Sequence, residues 1–157
     1  MHANEKLIEN FYKAFQKTDY ITMQNSYHEE ATFSDAAFVN LSSREVKAMW
    51  QMLLTRSTGL VLTFTAISAN DTKGSAHWEA IYTFSKTGRK VHNKIDATFE
   101  FKDGKIYRHT DVFNFHQWAS QALGVMGMLL GWTSFLQQKV QKTARKQLQL
   151  FMAQKEL

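Results

Sequence analysis

The segment Lys102-Asp103-Gly104-Lys105 constrains this chain more than any other, because it joins two stretches in which apolar and polar residues alternate. Asp-Gly supplies the two left-handed residues that a tight hairpin turn demands, so Val91 to Phe101 and Ile106 to Phe115 are read as paired antiparallel strands. With Asp103 and Gly104 as the loop, Lys102 pairs with Lys105, and counting outward sets Asp96 opposite Asp111 and Thr98 opposite His109. Thr87-Gly88 reads as a second turn, which sets Glu79 beside Asp96 and His77 beside Thr98. Period-two alternation then gathers Glu79, Asp96, Asp111, His77, Thr98 and His109 on one sheet face. Opposed residues have Cβ atoms about 5 Å apart, where like charges repel. Away from water, one carboxyl of such a pair holds a proton.

The other face of these strands carries Trp78, Ala80, Tyr82, Phe84, Ile95, Ala97, Phe99, Ile106 and Val112, a surface too apolar to be left in water. Leu60 to Ala69 and Ser75 to Phe84 complete a meander of long strands. Upstream the period is helical. Leu7, Ile8, Phe11, Tyr12 and Phe15 mark a first helix over residues 3–17, and a second short one follows Asp19. Ala31-Thr32-Phe33 reads as a short strand, and Ser42 to Glu45 is a capping box for a helix with the stripe Val46, Met49, Trp50, Leu53, Leu54. Beyond Gln117 the pattern is helical again, first through the glycine-punctuated residues 118–131 and then through residues 134–154. In that last stretch Leu136, Val140, Ala144, Leu148 and Met152 step by four. Helices, then a meander, then helices predict a single α+β domain over residues 1–157, with a core to residue 117 and a helical extension from 118.

The chain has no cysteine, which excludes disulfides, thiolate metal sites and cysteine nucleophiles. The polar Met1 to Lys6 is unlike a signal peptide, and the most apolar stretch, residues 122–132, is too short to span a bilayer. A cytoplasmic protein with no membrane partner is expected. The net charge of +5 raises nucleic acid as a partner, but much of the excess lies on one terminal helix as Lys139, Lys142, Arg145, Lys146 and Lys155, so no nucleic-acid partner is expected. Phosphate loops, dinucleotide fingerprints and serine-nucleophile motifs are absent, and no cofactor is expected.

Three local elements, taken in order, resemble the SnoaL-like members of the nuclear transport factor 2 superfamily. They are Phe11-Tyr12-Lys13-Ala14-Phe15 before Asp19; Glu30-Ala31-Thr32-Phe33-Ser34-Asp35; and Asp103-Gly104-Lys105-Ile106 leading into His109-Thr110-Asp111-Val112-Phe113. The resemblance covers residues 3 to about 118 and implies a cone-shaped fold around a deep pocket. Within that superfamily, Asp35 matches the general base of ketosteroid isomerases and Asp96 their protonated oxyanion-hole acid. The isomerase tyrosine falls on Phe11, with Tyr12 one residue out of register. Thr110-Asp111-Val112-Phe113 resembles the segment holding the water-activating aspartate of limonene-1,2-epoxide hydrolases, and His77-Trp78-Glu79 stands where those enzymes have Arg-x-Asp. Polyketide cyclases place their acid near the His109 and Asp111 region and are the nearest in overall pattern.

The catalytic candidates are therefore Asp96, Asp111, Asp35, His109, Glu79 and His77. Phe11, Tyr12, Phe33 and Trp50 are expected to roof them, with Ile81, Thr98, Tyr107, Phe113 and Phe115 completing a pocket for a small, largely apolar molecule. The expected chemistry is cofactor-independent general acid–base catalysis of cyclase, isomerase or epoxide hydrolase type. The alternative is a noncatalytic ligand-binding or assembly module. Two histidines and three carboxylates also resemble a metal site, but without helical His-x-x-x-His spacing no metal is expected. Asp35 has a competing role as a turn cap before Ala36-Ala37-Phe38. The apolar sheet face calls for a cover, either the C-terminal helix or a second subunit, so a homodimer is expected.

Overall fold

At the start of α1 (Ala3–Gln16) the Glu5 carboxylate accepts the His2 backbone N–H and the His2 ring accepts the Asn4 N–H. Its apolar stripe Ile8, Phe11, Tyr12 and Phe15 is fully buried. Asp19 caps the short α2 (Tyr20–Asn25). α3 (Ser43–Arg56) begins at the expected capping box, with Ser42 Oγ accepting from Glu45 N–H at 3.2 Å and Glu45 accepting from Ser42 N–H at 3.0 Å. Such a cap contributes about 1 kcal/mol.

The computed structural model describes residues 1–157, and its six strands form one curved sheet. They are β1 (Tyr27–Ser34), β2 (Leu41–Ser42), β3 (Val61–Ala69), β4 (Lys73–Phe84), β5 (Arg89–Lys102) and β6 (Lys105–Val112), in the order β2-β1-β6-β5-β4-β3. The meander β3 to β6 is antiparallel, as the alternation predicts. β1 runs parallel to β6, Phe33 beside His109 and Ser34 beside Thr110, so the sheet is mixed.

Two departures in register decide where the polar residues go. The β4–β5 loop holds four residues, Ser85 to Gly88, with Phe84 paired to Arg89. Pairing therefore slides by two, setting His77 opposite Asp96 and Glu79 opposite Lys94. A shift of two keeps each side chain on its face. The β5–β6 turn is as expected, with Asp103 and Gly104 both at positive φ and Lys102 opposite Lys105. One residue further, however, Tyr107 is extra: Phe101 pairs with Ile106 and Glu100 with Arg108. A one-residue bulge reverses every side chain beyond it and bends the strand. Asp111 thus stands opposite Ala97 and His109 opposite Phe99, facing inward. Asp96 and Thr98 stay outside.

α1 and α3 roof the inner face, where their stripes meet Trp78, Ala80, Ile95, Ala97, Phe99 and Ile106 in one continuous core. The apolar face expected to need a second subunit is this one, and the protein's own helices cover it. The extension consists of α4 (Phe115–Leu123), α5 (Val125–Leu130) and α6 (Ser134–Lys155). α6 lies against α3, with Leu148 and Phe151 in the main core and Leu136 against Phe115 and Ala119. Its stripe is therefore satisfied within the subunit. α6 also holds the loop after β1: Gln141 donates to Ala36 O at 3.0 Å, and Arg145 donates to both Val39 O and Glu45, each at 2.9 Å. No helix is long and apolar enough to cross a membrane.

Candidate active site in the cone

The bulge at Tyr107 delivers His109 and Asp111 to the interior, where their side chains are only 1% and 2% exposed. An isolated buried carboxylate is costly, so the partners matter. His109 Nε2 lies 2.9 Å from Asp111 Oδ1, and the Trp78 indole N–H approaches the same oxygen at 3.4 Å. On the other side of the ring, Nδ1 lies 2.8 Å from the Tyr27 hydroxyl, which accepts the Trp50 N–H at 2.9 Å. The donor-only indole of Trp50 donates to the Tyr27 oxygen, which leaves the Tyr27 O–H able to donate to Nδ1 and an Nε2 proton able to point at Asp111. Phe33 and Phe99 close on the imidazole, with ring centroids 4.9 and 4.5 Å away. The dyad is thereby fixed in orientation.

Asp35, just past the end of β1, serves as both a turn cap and a cavity group. Its Oδ1 accepts the Ala37 and Phe38 N–H groups at 2.7 and 2.6 Å, leaving Oδ2 without a protein donor. Burial pushes its pKa up to about 7 and the charge of Asp111 adds to the rise, while the Phe38 and Ala37 N–H bonds oppose it. The Tyr82 hydroxyl accepts from Trp118 Nε1 at 2.9 Å and keeps its own proton free. Burial, and then the nearby Asp35, raise Tyr82 above the ordinary phenol value. Tyr12 and Tyr27 are held well above theirs, in both cases chiefly by burial and with Asp111 adding to it. The Tyr12 hydroxyl has no partner.

Asp35 and Asp111 both line a cavity of about 540 Å³, with Trp50, Trp78 and Tyr82 among its walls. Of the other sequence candidates, Phe113 lines the cavity, while Phe11, Tyr12 and Phe33 form the packed core around the dyad. Phe115 belongs instead to the small α4 cluster. The remaining placements are corrected by the register. Thr98 is exposed on the outer face, Ile81 follows the outward side of β4, and the bulged Tyr107 packs under Lys102 and Arg108. Asp96 is 81% exposed and joins His77 at 2.9 Å; His77 in turn meets Glu79 at 3.0 Å, and Glu79 meets His92 at 2.7 Å. This outer ladder is separated from the cavity by the sheet. No group of three or more His, Asp or Glu side chains is arranged to hold a metal ion. Trp78, Tyr82, Tyr27 and Trp118 escape the sequence reading because the first two share the face assigned to simple packing. For the other two, no spacing marks a hydroxyl or an indole as a hydrogen-bond partner.

A curved mixed sheet roofed by helices around a deep, mostly apolar cavity with buried carboxyls defines the class of cone-shaped α+β proteins. The chain matches the SnoaL-like domain over residues 8–109 and belongs to that family. No curated protein matches it in sequence. Among solved structures it is similar to an LEH-like epoxide hydrolase of M. tuberculosis, at 17% identity and a TM-score of 0.65, covering 82% of this chain and 96% of that one. IdmH, a proposed polyketide cyclase of Streptomyces antibioticus, is 18% identical with a TM-score of 0.63, covering 79% and 100%. TerC, co-crystallised with polyporic acid, is 16% identical with a TM-score of 0.62, covering 74% and 98%. At these identities the likeness concerns the fold.

Proposed function

We propose that the protein binds a small, largely apolar molecule in the cone and transforms it by cofactor-independent acid–base catalysis, with Asp111 as base and Asp35 as acid. One observation carries the reading. Two carboxyls share an apolar cavity, one accepting N–H bonds from His109 and Trp78 and the other with burial pushing its pKa up to about 7. Two carboxyls in unlike surroundings, one of them with its pKa raised by burial, are the usual division of labour between base and acid. Asp111 takes a proton from water or from an acidic C–H, and His109, held by Tyr27, steadies the carboxyl that results. The proton on Asp35 passes to the oxygen that develops negative charge, with the Tyr82 hydroxyl as a second donor. Asp96, the acid suggested by the sequence resemblance, lies outside the cavity and has no part in this scheme.

Both an epoxide hydrolase and a proposed cyclase among the structural neighbours are compatible with such a pair. The test is a panel of apolar epoxides and β,γ-unsaturated ketones, followed with the wild type, Asp35→Asn and Asp111→Asn. Turnover of one class, reduced about 10²- to 10⁴-fold by either substitution, supports the assignment. Saturable binding with no turnover of either class favours a noncatalytic binder.

A further inference from the structure

The segment after α4 keeps its largest apolar side chains out of the fold. Met128 is 60% exposed, Leu129 65%, Trp132 74% and Phe135 69%, with Val125 and Met126 also exposed. The cause is local. Gly124 takes a left-handed φ and turns the chain back, and α5 then lies on α4 through Gly127. A Cβ added there would stand 1.8 Å from Ala119 O, and one at Gly131 would stand 2.9 Å from the His116 ring and 3.0 Å from Ala119 Cβ, both on α4. Backbone packs on backbone, so the side of α5 turned to the protein is glycine and its large residues have no interior to enter. A single exposed Leu means little, but a run of this kind marks a contact surface.

The charges set beside it are positive. Lys139 follows Phe135 by one turn of α6, and the chain from Val112 to Lys155 contains no acidic residue. The β4–β5 loop, which abuts the end of α4 through Thr87 and Arg89, adds Lys86, Arg89 and Lys90. The Arg89 guanidinium lies against Gly124, at the start of α5. Lys86, Lys139 and Met126 also line the cavity at its exposed end. An apolar cluster with an indole, flanked by Lys86, Arg89, Lys90 and Lys139, is complementary to an anionic lipid surface, where Trp sits at headgroup depth and Lys or Arg meet phosphate. A second copy docked on this patch by a twofold axis would instead bring two clusters of the same sign into one interface.

We infer that α5, Trp132 and Phe135 dock the protein onto anionic membrane surfaces and open the cone toward the lipid. Such docking departs from the expectation, drawn from the sequence, of no membrane partner. The docking itself stands on the patch and its charges. The passage of an apolar molecule from lipid to cavity rests on the function proposed above.

The test is flotation of the full chain with phosphatidylcholine vesicles, with and without about one-third phosphatidylglycerol. The expected result is at least about tenfold stronger partitioning onto the anionic vesicles, weakened by salt, with a blue shift of Trp132 emission. Trp132→Phe should lose most of that shift while keeping the partitioning. Met128→Glu/Leu129→Glu should lose the partitioning while retaining the wild-type melting temperature. Equal partitioning onto neutral and anionic vesicles, or none onto either, overturns the inference. So does a dimer in light scattering that Met128→Glu/Leu129→Glu converts to monomer, since the patch then belongs to a second copy. Binding of the neutral probe N-phenyl-1-naphthylamine without vesicles separates the two claims. If vesicle docking persists while the cavity binds no probe, the cavity reading fails alone.

Discussion

Nε2 of His109 lies 2.9 Å from Oδ1 of Asp111, two residues further along the inner side of the same strand, and nearly all of both side chains is hidden from solvent. Neighbouring inward positions on one strand thus form a complete acceptor–donor pair. The Tyr27 hydroxyl, which accepts the Trp50 indole N–H, holds the other ring nitrogen at 2.8 Å and completes the arrangement.

Tyr27→Phe should break that arrangement at almost constant volume. It leaves Trp50 N–H and His109 Nδ1 buried without partners, at a cost of about 1–3 kcal/mol. For a chain of this size, the melting temperature should fall by roughly 3–10 °C. Calorimetry checks this, and an unchanged melting temperature would mean that the hydroxyl bridges nothing.

Asp35 should make stability fall as pH rises through weakly acidic values. Its carboxyl moves from the ordinary 3.8 up to about 7 in the folded protein, mainly by burial. Between those values the native state holds a proton that the unfolded chain releases, so stability declines across that window and levels off above it. Asp35→Asn keeps an acceptor for Ala37 and Phe38 but cannot ionise. Relative to wild type it should be near neutral at the acid end and more stable, on the order of a few kcal/mol, above neutrality. Paired denaturant melts at the two ends of the window measure the difference.

On the outer face, His77 is raised above 6.5 by the hydrogen bonds its ring donates, first to Asp96 and then to Glu79. Its contribution to stability is therefore present below 6.5 and lost as pH rises through the raised value. Proton NMR should show its midpoint falling toward 6.5 in Asp96→Asn, with the signals of His109 undisturbed. Movement of His109 instead would place Asp96 on the inner side of the sheet.

Much of the fold is legible in the residues. The capping box at Ser42 and Glu45, the alternation of the four meander strands and the stripe of α6 each follow from local rules that tertiary packing does not overrule. The site is only partly legible, because a single extra residue decides it. Asp103-Gly104 does pair Lys102 with Lys105, but the bulge at Tyr107 exchanges the faces beyond it. Nothing in Lys105-Ile106-Tyr107-Arg108 announces a bulge, since Tyr107 alternates acceptably in either register. The sequence sets Asp111 against Asp96 and His109 against Thr98; the structure instead joins His109 to Asp111 on the inner side and leaves Asp96, Glu79 and His77 across the sheet from them. For Asp35 the sequence offers the turn cap and the site role as alternatives, whereas the structure combines them: Oδ1 serves the turn and the residue also lines the cavity.

The central claim is that an apolar molecule binds against Asp35 and Asp111. The most direct test is a carbon-detected NMR titration of protein carrying 13C-carboxyl aspartate, with and without saturating N-phenyl-1-naphthylamine. The account predicts one aspartate with a midpoint near 7 that is missing in Asp35→Asn. On probe binding that midpoint should rise further, because the probe removes more water from the carboxyl. Chemical-shift changes should be confined to Asp35 and Asp111. All aspartates titrating near 4, or probe-induced shifts at Asp96 with none at Asp35 and Asp111, would contradict it.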